Sequence, residues 1–199
     1  MMGNGMDEGR KPPPKRKQPR KVSPEYLERS ALHYLERYAS SSANLRRVLL
    51  RKVQASARAH GTDPEEGTRW VEDLLARYRR SGLLDDKAYA EMKAGGLQRR
   101  GGSTRSIRQK LAAKGVDPDL VEQAVGGLEG AESGEADLAA AIAYAKRRRI
   151  GPFRVERPGR EGEDPRARRD KDLSAMARAG FDLDTARRVL EAEDPESLL

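Results

Sequence analysis

The chain has 199 residues, 36% of them apolar and 36% charged, with a net charge of +8 and no cysteine. This composition excludes disulfides, thiol catalysis and sulfur-ligated metals, and it favours thin, charge-coated helical units over one large core. No apolar run approaches the roughly 18 residues of a membrane span, and the N-terminus lacks the apolar segment of a secretory signal, so we expect a cytoplasmic protein without membrane contact.

The positive charge is concentrated in two segments. Residues 1–21 carry seven Lys/Arg and two Asp/Glu, and residues 146–171 carry eleven Lys/Arg and five Asp/Glu. The rest of the chain is slightly acidic, with 22 basic and 25 acidic residues. Such local excess suits a polyanion or an acidic partner, although solubility alone would also explain a basic arm. Residues 1–22, rich in Gly, Pro and Lys/Arg, are predicted to form a disordered basic arm.

Residues 23–82 are predicted to form a first three-helix repeat. Ser23 followed by proline is a typical helix start, and the segment up to Tyr38 keeps an inward apolar stripe at helical spacing. A second helix carries leucines inward and arginines outward and ends before Gly61. A third helix starts at Asp63, again with a proline in its first turn.

Residues 83–130 repeat this order, with helix starts expected near Asp85 and at Ser103. The second helices of the two units correspond to each other, with Ile107 at the position of Leu45. The inward stripe of the third helix recurs at one constant offset along the sequence, in which Trp70, Val71, Leu74, Leu75 and Tyr78 become Leu120, Val121, Ala124, Val125 and Leu128. The two segments are therefore copies of one module.

Residues 131–199 form a third predicted repeat. A helix is expected from about Glu135 to Arg149, and the stripe of the last helix repeats that of its counterpart in the second unit, again at a constant offset. Between them, residues 151–170 are Pro/Gly-rich and charged, and we expect a mobile basic insertion there. Because small units bury little core alone, the sequence predicts an all-α, elongated and curved array of three tandem three-helix repeats. Other side chains predicted to face inward are Met92, Leu173, Met176 and Ala177.

The chain offers little catalytic chemistry. The Gly-rich run 94–102 lacks the preceding strand and the Lys-Ser/Thr of a phosphate-binding loop, and its Gly95-Gly96 pair is expected to weaken or end a helix. Helix capping explains Asp85-Asp86, because adjacent side chains point apart on a helix. His33 and His60 lie on separate segments and are not predicted to form a metal pair. We therefore predict no enzyme, no metal and no cofactor.

Basic side chains are the more informative candidates for contact with a partner. They cluster on the second helix of repeat 1, around the Gly-Gly turn of repeat 2, and at the end of the first helix of repeat 3. Helix N-termini attract anions, whereas cations at a helix end also simply offset the helix dipole. Contact with a polyanion would be sequence-independent and salt-sensitive. The candidate partner- or DNA-binding residues are Arg46, Arg47, Arg51, Lys52, Arg99, Arg100, Arg105, Arg108, Lys110, Lys146, Arg147, Arg148 and Arg149.

Several runs resemble the RecX regulatory proteins of bacteria. The most specific are Gly-Leu-Leu-Asp-Asp-x-x-Tyr-Ala at 82–90 and Ile-Arg-Gln-x-Leu-x-x-Lys-Gly-Val-Asp at 107–117, supported by 31–53 and 177–194. The match covers about residues 23–195 apart from the insertion. It implies tandem three-helix repeats, binding to the RecA recombinase filament on DNA, and inhibition of its ATPase and strand exchange. The glycine pair, the basic insertion and the basic arm are not typical of the family.

Two functions stay open from the sequence. The resemblance implies a non-enzymatic modulator of the RecA filament in recombination, DNA repair and the SOS response, which would contact single- and double-stranded DNA without sequence preference. The alternative is a general nucleic-acid-binding helical protein that has no special affinity for the recombinase. In either case we expect a monomer.

Overall fold

The computed structural model of the protein describes residues 18–131, 134–155 and 164–194. Every regular element within these ranges is helical, which confirms the predicted all-α class. Helices α1–α3 form repeat 1, α4–α6 form repeat 2, and α7–α9 form repeat 3, with a 3₁₀ turn at Gly151–Phe153. The helices are α1 Pro24–Leu35, α2 Ser42–His60, α3 Pro64–Arg80, α4 Asp86–Gln98, α5 Thr104–Ala113, α6 Pro118–Gly126, α7 Glu135–Arg148, α8 Pro165–Arg178 and α9 Leu183–Glu191.

Side-chain caps start almost every helix in the described ranges. Only α7, which follows Gly134, begins without one. At α9 the backbone N–H of Thr185 holds the pKa of Asp182 below its usual value, so this cap stabilises at neutral pH and is lost as the pH falls through the lowered pKa. The capping residues are Ser23, Ser41, Asp63, Asp85, Ser103, Asp117, Asp164 and Asp182.

Each repeat has its own apolar core, built from the stripes that face one another across its three helices. The first core centres on Leu27, Leu45, Leu49, Val71 and Leu75. The second centres on Ala90, Ile107, Leu111, Val121 and Val125. The third centres on Ala141, Ala145, Met176, Phe181 and Val189. Three separate cores explain how a chain with few apolar residues folds without a single large interior.

The end of the predicted basic arm packs onto repeat 1. Residues 1–17 lie outside the described residues, but Val22 is buried and its N–H donates to the Ser56 hydroxyl of α2 at 3.0 Å. The Pro19 carbonyl lies 2.6 Å from the His60 ring. Repeat 1 therefore begins before residue 23.

Some inward predictions are wrong. Met92 and Tyr38 are 53% and 56% exposed, and Ala177 is also exposed. Met92 lies two residues from the buried Ala90 and Ala94, which places it on the opposite side of α4. A helix in such a small unit buries only one narrow face. Apolar side chains that lie away from this face therefore stay exposed to solvent.

Of the two outcomes that the sequence predicts for the Gly95-Gly96 pair, the end of a helix does not occur at it. Helix α4 continues through it to Gln98, because the fully buried Ala94 and the half-buried Leu97 hold the last turn in the core of repeat 2. Tertiary packing thus outweighs a propensity cost of roughly 1 kcal/mol per glycine.

The expected insertion at 151–170 has regular structure at both ends. Gly151–Phe153 forms the 3₁₀ turn and packs against α9, and helix α8 already starts at Pro165. Arg154 forms an ion pair with Asp172 of α8. Helices α7 and α8 are separated by residues 149–164, a shorter segment than the predicted 151–170, and residues 156–163 of it lie outside the described residues.

Repeats 1 and 2 meet through polar contacts at the start of α2. The Ser41 hydroxyl, fully buried, donates to the Lys114 carbonyl at the end of α5 at 2.6 Å. The next backbone N–H, of Ser42, donates to the carboxylate of Asp86 on α4 at 2.7 Å. Asp86 therefore caps helix α2 of the neighbouring repeat. The sequence predicted a capping role for Asp86 only in its own helix.

Repeats 2 and 3 meet through the same contacts at equivalent positions. The Ser103 hydroxyl, also fully buried, donates to the Ala179 carbonyl at 2.8 Å, and the Thr104 N–H donates to Asp137 at 2.7 Å. One junction geometry used twice rotates successive repeats in the same sense, which produces the elongated, curved array.

Candidate anion-binding cleft between repeats 2 and 3

Two of the predicted contact residues are committed to ion pairs within their own repeat. Arg46 on α2 lies 2.5 Å from Glu72 on α3, and its counterpart Arg108 on α5 lies 3.0 Å from Glu122 on α6. The two pairs occupy equivalent positions in their repeats, and each links the second helix to the third. Both are largely exposed, so each is worth less than about 1 kcal/mol.

The remaining cations of α2 lie beside two different neighbours. Arg47 donates to the Ala113 carbonyl at 2.9 Å and so reaches across the first junction. Lys52 lies 5.4 Å from the centre of the Tyr26 ring, and together with Arg51 and Arg20 it lines a groove of about 370 Å³. This groove is a smaller basic surface, formed within repeat 1 and the end of the arm.

The main basic site is a cleft of about 770 Å³ between repeats 2 and 3. Arg100 and Lys110 line it from repeat 2, and Arg147, Arg148 and Arg178 line it from repeat 3. No carboxylate is among the described residues of its wall. The structure therefore brings four sequence-predicted cations together and adds a fifth, Arg178, which sequence reasoning missed. We call this group of five side chains the basic cleft.

A glycine turn positions the walls of the basic cleft. Gly101, with φ +72°, is so close to α7 that an added Cβ would lie 3.0 Å from the Ala140 carbonyl oxygen and from the Tyr144 nitrogen. The Arg147 guanidinium crosses the junction and donates to the Arg100 carbonyl. The turn between α4 and α5 and the end of α7 are thereby held against each other, with their cations on one side.

Tyr144 forms the base of this arrangement. Its hydroxyl donates to the Ala175 carbonyl of α8 at 3.3 Å, and its ring packs edge-on against Phe181 at 5.7 Å. The guanidinium carbons of Arg147 and Arg148 each lie 5.7 Å from the ring centre. Cation–π contacts of this kind orient two arginines without neutralising their charge.

The charge of the basic cleft is not required by the repeat. When the two junctions are aligned by the hydrogen bonds that they share, the equivalent positions at the first junction carry no charge. Arg100, Lys110, Arg147, Arg148 and Arg178 correspond to Tyr38, Val48, Gly96, Leu97 and Ala113. Comparing equivalent positions of the aligned repeats would have identified Arg178 from the sequence, because it stands where the preceding repeat has the small apolar Ala113.

Comparison with known proteins identifies the family. The chain is 47% identical over 192 residues to the regulatory protein RecX of Myxococcus xanthus (strain DK1622), covering 94% of this chain and 98% of that protein. The chain belongs to the RecX family. It is also 32% identical over 170 residues to the regulatory protein RecX of Agrobacterium fabrum, covering 83% of this chain and 84% of that protein.

The RecX relationship extends to the repeats and the fold. A family model described as the second three-helix domain of RecX matches residues 85–125, which form repeat 2. A crystal structure of RecX from Lactobacillus salivarius superposes with a TM-score of 0.58 at 15% identity, covering 88% of this chain and 97% of that one. A second RecX crystal structure also has a TM-score of 0.58, at 20% identity, covering 84% of this chain and 71% of the other.

The other predicted cations of this RecX-family chain lie outside the basic cleft. Arg99 lines a separate groove together with Glu129 and Glu135. Arg105 and Lys146 are exposed. Arg149 ends α7 in a left-handed conformation, with φ +56°, so its position reflects the helix terminus.

The predictions about metal binding and about the acidic pair apply to the described ranges of the RecX repeats. Groups of three or more His, Asp or Glu side chains that could hold a metal ion do not occur there. The Asp85-Asp86 pair is used structurally, since Asp85 caps α4 and Asp86 accepts the Ser42 N–H. Likewise, none of the described helices is both long and apolar enough to cross a membrane.

Neutralising the basic cleft should stabilise the isolated protein slightly. We expect the double variant Lys110→Gln/Arg178→Gln to melt about 1–2 °C above the wild type, because like charges in a cleft repel one another. The gain should vanish in high salt, which screens exposed charges. Differential scanning calorimetry at low and high salt measures both effects. A lower melting temperature would mean that these two side chains support the fold.

Proposed function

We propose that this protein binds the RecA–DNA filament and inhibits the recombinase ATPase and strand exchange, and that it thereby modulates recombination and DNA repair. It acts in this proposal as a monomer in the cytoplasm, through surface contacts and without catalysis of its own. Membership of a family of regulatory proteins is the observation that carries the proposal.

The fold and charge of the molecule support this assignment. A linear array of repeats offers a long surface, which suits a partner that is itself a polymer. The basic cleft offers a concentration of positive charge at one defined place on that surface, as contact with filament DNA requires. Inhibition then follows if the bound array blocks incoming DNA or restrains the subunit movements that accompany ATP turnover.

The test is an ATPase titration with the recombinase on single-stranded DNA. We expect strong inhibition at amounts of this protein well below one per recombinase subunit and well below saturation of the DNA, because one array contacts several filament subunits. Inhibition that appears only when free DNA has been titrated away would contradict the proposal. Adding excess DNA in a parallel titration separates the two cases.

The second candidate is a general nucleic-acid-binding protein, which the five cations of the basic cleft favour on their own. It predicts tight binding to naked nucleic acid with a steep salt dependence and no gain in affinity when the recombinase coats the DNA. Measuring affinity for naked and for recombinase-coated single strands at one salt concentration discriminates the two functions.

A further inference from the structure

We propose that the basic cleft holds the phosphodiester backbone of single-stranded DNA and that this occupation fixes repeat 3 relative to repeat 2. The inference deepens the proposed function, on which it rests for the biological source of the DNA. It assigns the DNA contact to one junction of the array and gives that contact a conformational consequence.

The first support is the absence of compensating carboxylates. Several arginines elsewhere in the described chain that reach a neighbouring helix are paired with acids, as in Arg46–Glu72, Arg77–Glu28, Arg108–Glu122 and Arg169–Glu191, whereas Arg47 donates to a carbonyl. Within the described residues, none of the five cations of the basic cleft has such a pair, and Arg147 alone donates to a backbone carbonyl. A cluster of uncompensated cations is the electrostatic signature of an anion site.

The second support is the placement of the charges on both sides of a junction. Arg100 and Lys110 belong to repeat 2, whereas Arg147, Arg148 and Arg178 belong to repeat 3. Without a ligand these side chains repel across the junction, and an anion between them replaces repulsion by attraction. Anion binding and closure of the junction are therefore thermodynamically coupled.

The third support is the construction of the junction itself. The apolar cores of repeats 2 and 3 are separate, so no shared interior locks the two units together. The contact between them consists of polar bonds such as Ser103 to Ala179 and Thr104 to Asp137, and of the close approach of Gly101 to α7. A ligand that contacts both walls adds to these contacts and can set the angle of the junction.

The chemistry of the cleft favours a nucleic-acid strand over an acidic peptide. Four of the five cations are arginines, whose planar guanidinium groups bind phosphate with two parallel hydrogen bonds. Arginine clusters also bind phosphorylated or acidic peptide motifs, so the preference for nucleic acid rests on the distribution of the charge. The five cations lie on both walls of the cleft, an arrangement that matches the closely spaced charges of a phosphodiester chain. Contact through phosphates also makes the binding independent of sequence.

Binding is tested first with a fluorescent oligothymidylate and no recombinase. The cleft variant is Lys110→Glu/Arg178→Glu, one change on each wall. The matched control is Arg69→Glu/Arg187→Glu, which makes the same charge change at exposed positions of α3 and α9. We expect the cleft variant to bind at least about tenfold more weakly, whereas the control loses less than about threefold.

The salt dependence and a competitor identify the ligand class. Loss of two phosphate contacts should reduce the slope of log K against log salt by about 1.4 for a single strand. Polyglutamate should not displace the oligothymidylate at equal charge concentration. Equal losses in the cleft and control variants, or displacement by polyglutamate, would overturn the assignment. Circular dichroism spectra of both variants verify that the charge changes leave the helices intact.

The conformational part is tested with spin-label pairs, since the chain has no cysteine of its own. Labels at Gln123→Cys and Arg188→Cys span the junction of repeats 2 and 3. Labels at Asp73→Cys and Gln123→Cys span the first junction, where the positions equivalent to the basic cleft carry no charge. Oligothymidylate should narrow the distance distribution of the first pair and leave that of the second pair unchanged. No change in the first pair would overturn the coupling.

Combining these readouts with the ATPase assay separates this inference from the proposed function. If the cleft variant loses oligothymidylate binding but the wild type fails to inhibit the recombinase, the cleft assignment survives and the regulatory function fails. If the wild type inhibits and the cleft variant binds oligothymidylate normally, the function survives and the cleft assignment fails.

Discussion

Replacing Arg154 with alanine is expected to destabilise the third repeat by about 2–3 kcal/mol. The Arg154 guanidinium lies 2.7 and 2.6 Å from the two carboxylate oxygens of Asp172, which is only 7% exposed. Removing the arginine leaves a buried carboxylate that still accepts a hydrogen bond from the Gly151 N–H at 3.0 Å but has lost its counter-charge. An uncompensated charge at that depth costs far more than a surface pair contributes.

Hydrogen exchange of α8 together with urea unfolding measures this loss. The comparison variant is Arg169→Ala, a change on the same helix as Asp172. It removes an exposed arginine that forms an ion pair with Glu191 of α9. It should cost less than about 1 kcal/mol. Equal losses in the two variants would mean that the Arg154–Asp172 pair behaves as an ordinary surface ion pair.

The stability lost with the Arg154–Asp172 pair should be recoverable by apolar replacement. The positions equivalent to Asp172 in repeats 1 and 2 are Leu45 and Ile107, both fully buried. The double variant Asp172→Ile/Arg154→Met replaces the ion pair with apolar side chains of the kind that the other repeats use. We expect it to recover most of the loss, because apolar replacement of a buried ion pair is often neutral or stabilising, whereas the Gly151 N–H loses its acceptor. Urea denaturation of the single and double variants checks this.

Asp172 illustrates why part of the third repeat was not predictable. The helical spacing places Leu173 and Met176 inward, and both contribute to the core. Nothing in that spacing reveals that a carboxylate occupies a core position, because its partner comes from the irregular segment after α7. Hydrophobic periodicity predicts which face of a helix is buried. It does not predict which side chain from another segment will contact that face.

Helix starts and core stripes were predictable because they depend on neighbours in sequence. Capping at Ser23, Asp85 and Ser103 needs only a side chain and a backbone N–H two or three residues ahead. The basic cleft needs the α4–α5 turn, the end of α7 and the end of α8 to meet, and Arg100 and Arg178 are far apart in the chain. The sequence identified four of its cations as candidates without indicating that they share one site.

Arg46 and Arg108 show that a local pattern of basic residues can also be explained by contacts within a repeat. The sequence predicts that both face a partner, yet each lies against a glutamate of the next helix in its own repeat. Glu72 and Glu122 occupy equivalent positions of the two copies, so the duplication contained the information that these pairs are structural. We therefore expect the unpaired cations of the cleft, and not these two arginines, to dominate binding.

Replacing Gly115 with alanine is expected to cost about 3 kcal/mol and to loosen the first junction. Gly115 has φ +73°, where an L-residue costs roughly 1 kcal/mol or more. An added Cβ would also lie 2.6 Å from the Cβ of Ala43 in repeat 1, a distance that real contacts do not reach. The repeats must then separate, which adds an overpacking cost of about 1–3 kcal/mol. Chemical denaturation measures the total.

Gly82→Ala separates the two contributions. Gly82 has nearly the same φ, +74°, but nothing lies within 4 Å of its added Cβ, so it should cost only the backbone strain of about 1 kcal/mol. The excess loss in Gly115→Ala therefore measures contact between repeats. Adding Ala43→Gly to Gly115→Ala removes the obstructing methyl group and should recover at least about 1 kcal/mol as a coupling energy. Purely additive losses would mean that Gly115 is required for its backbone conformation alone and that its contact with Ala43 does not join the repeats.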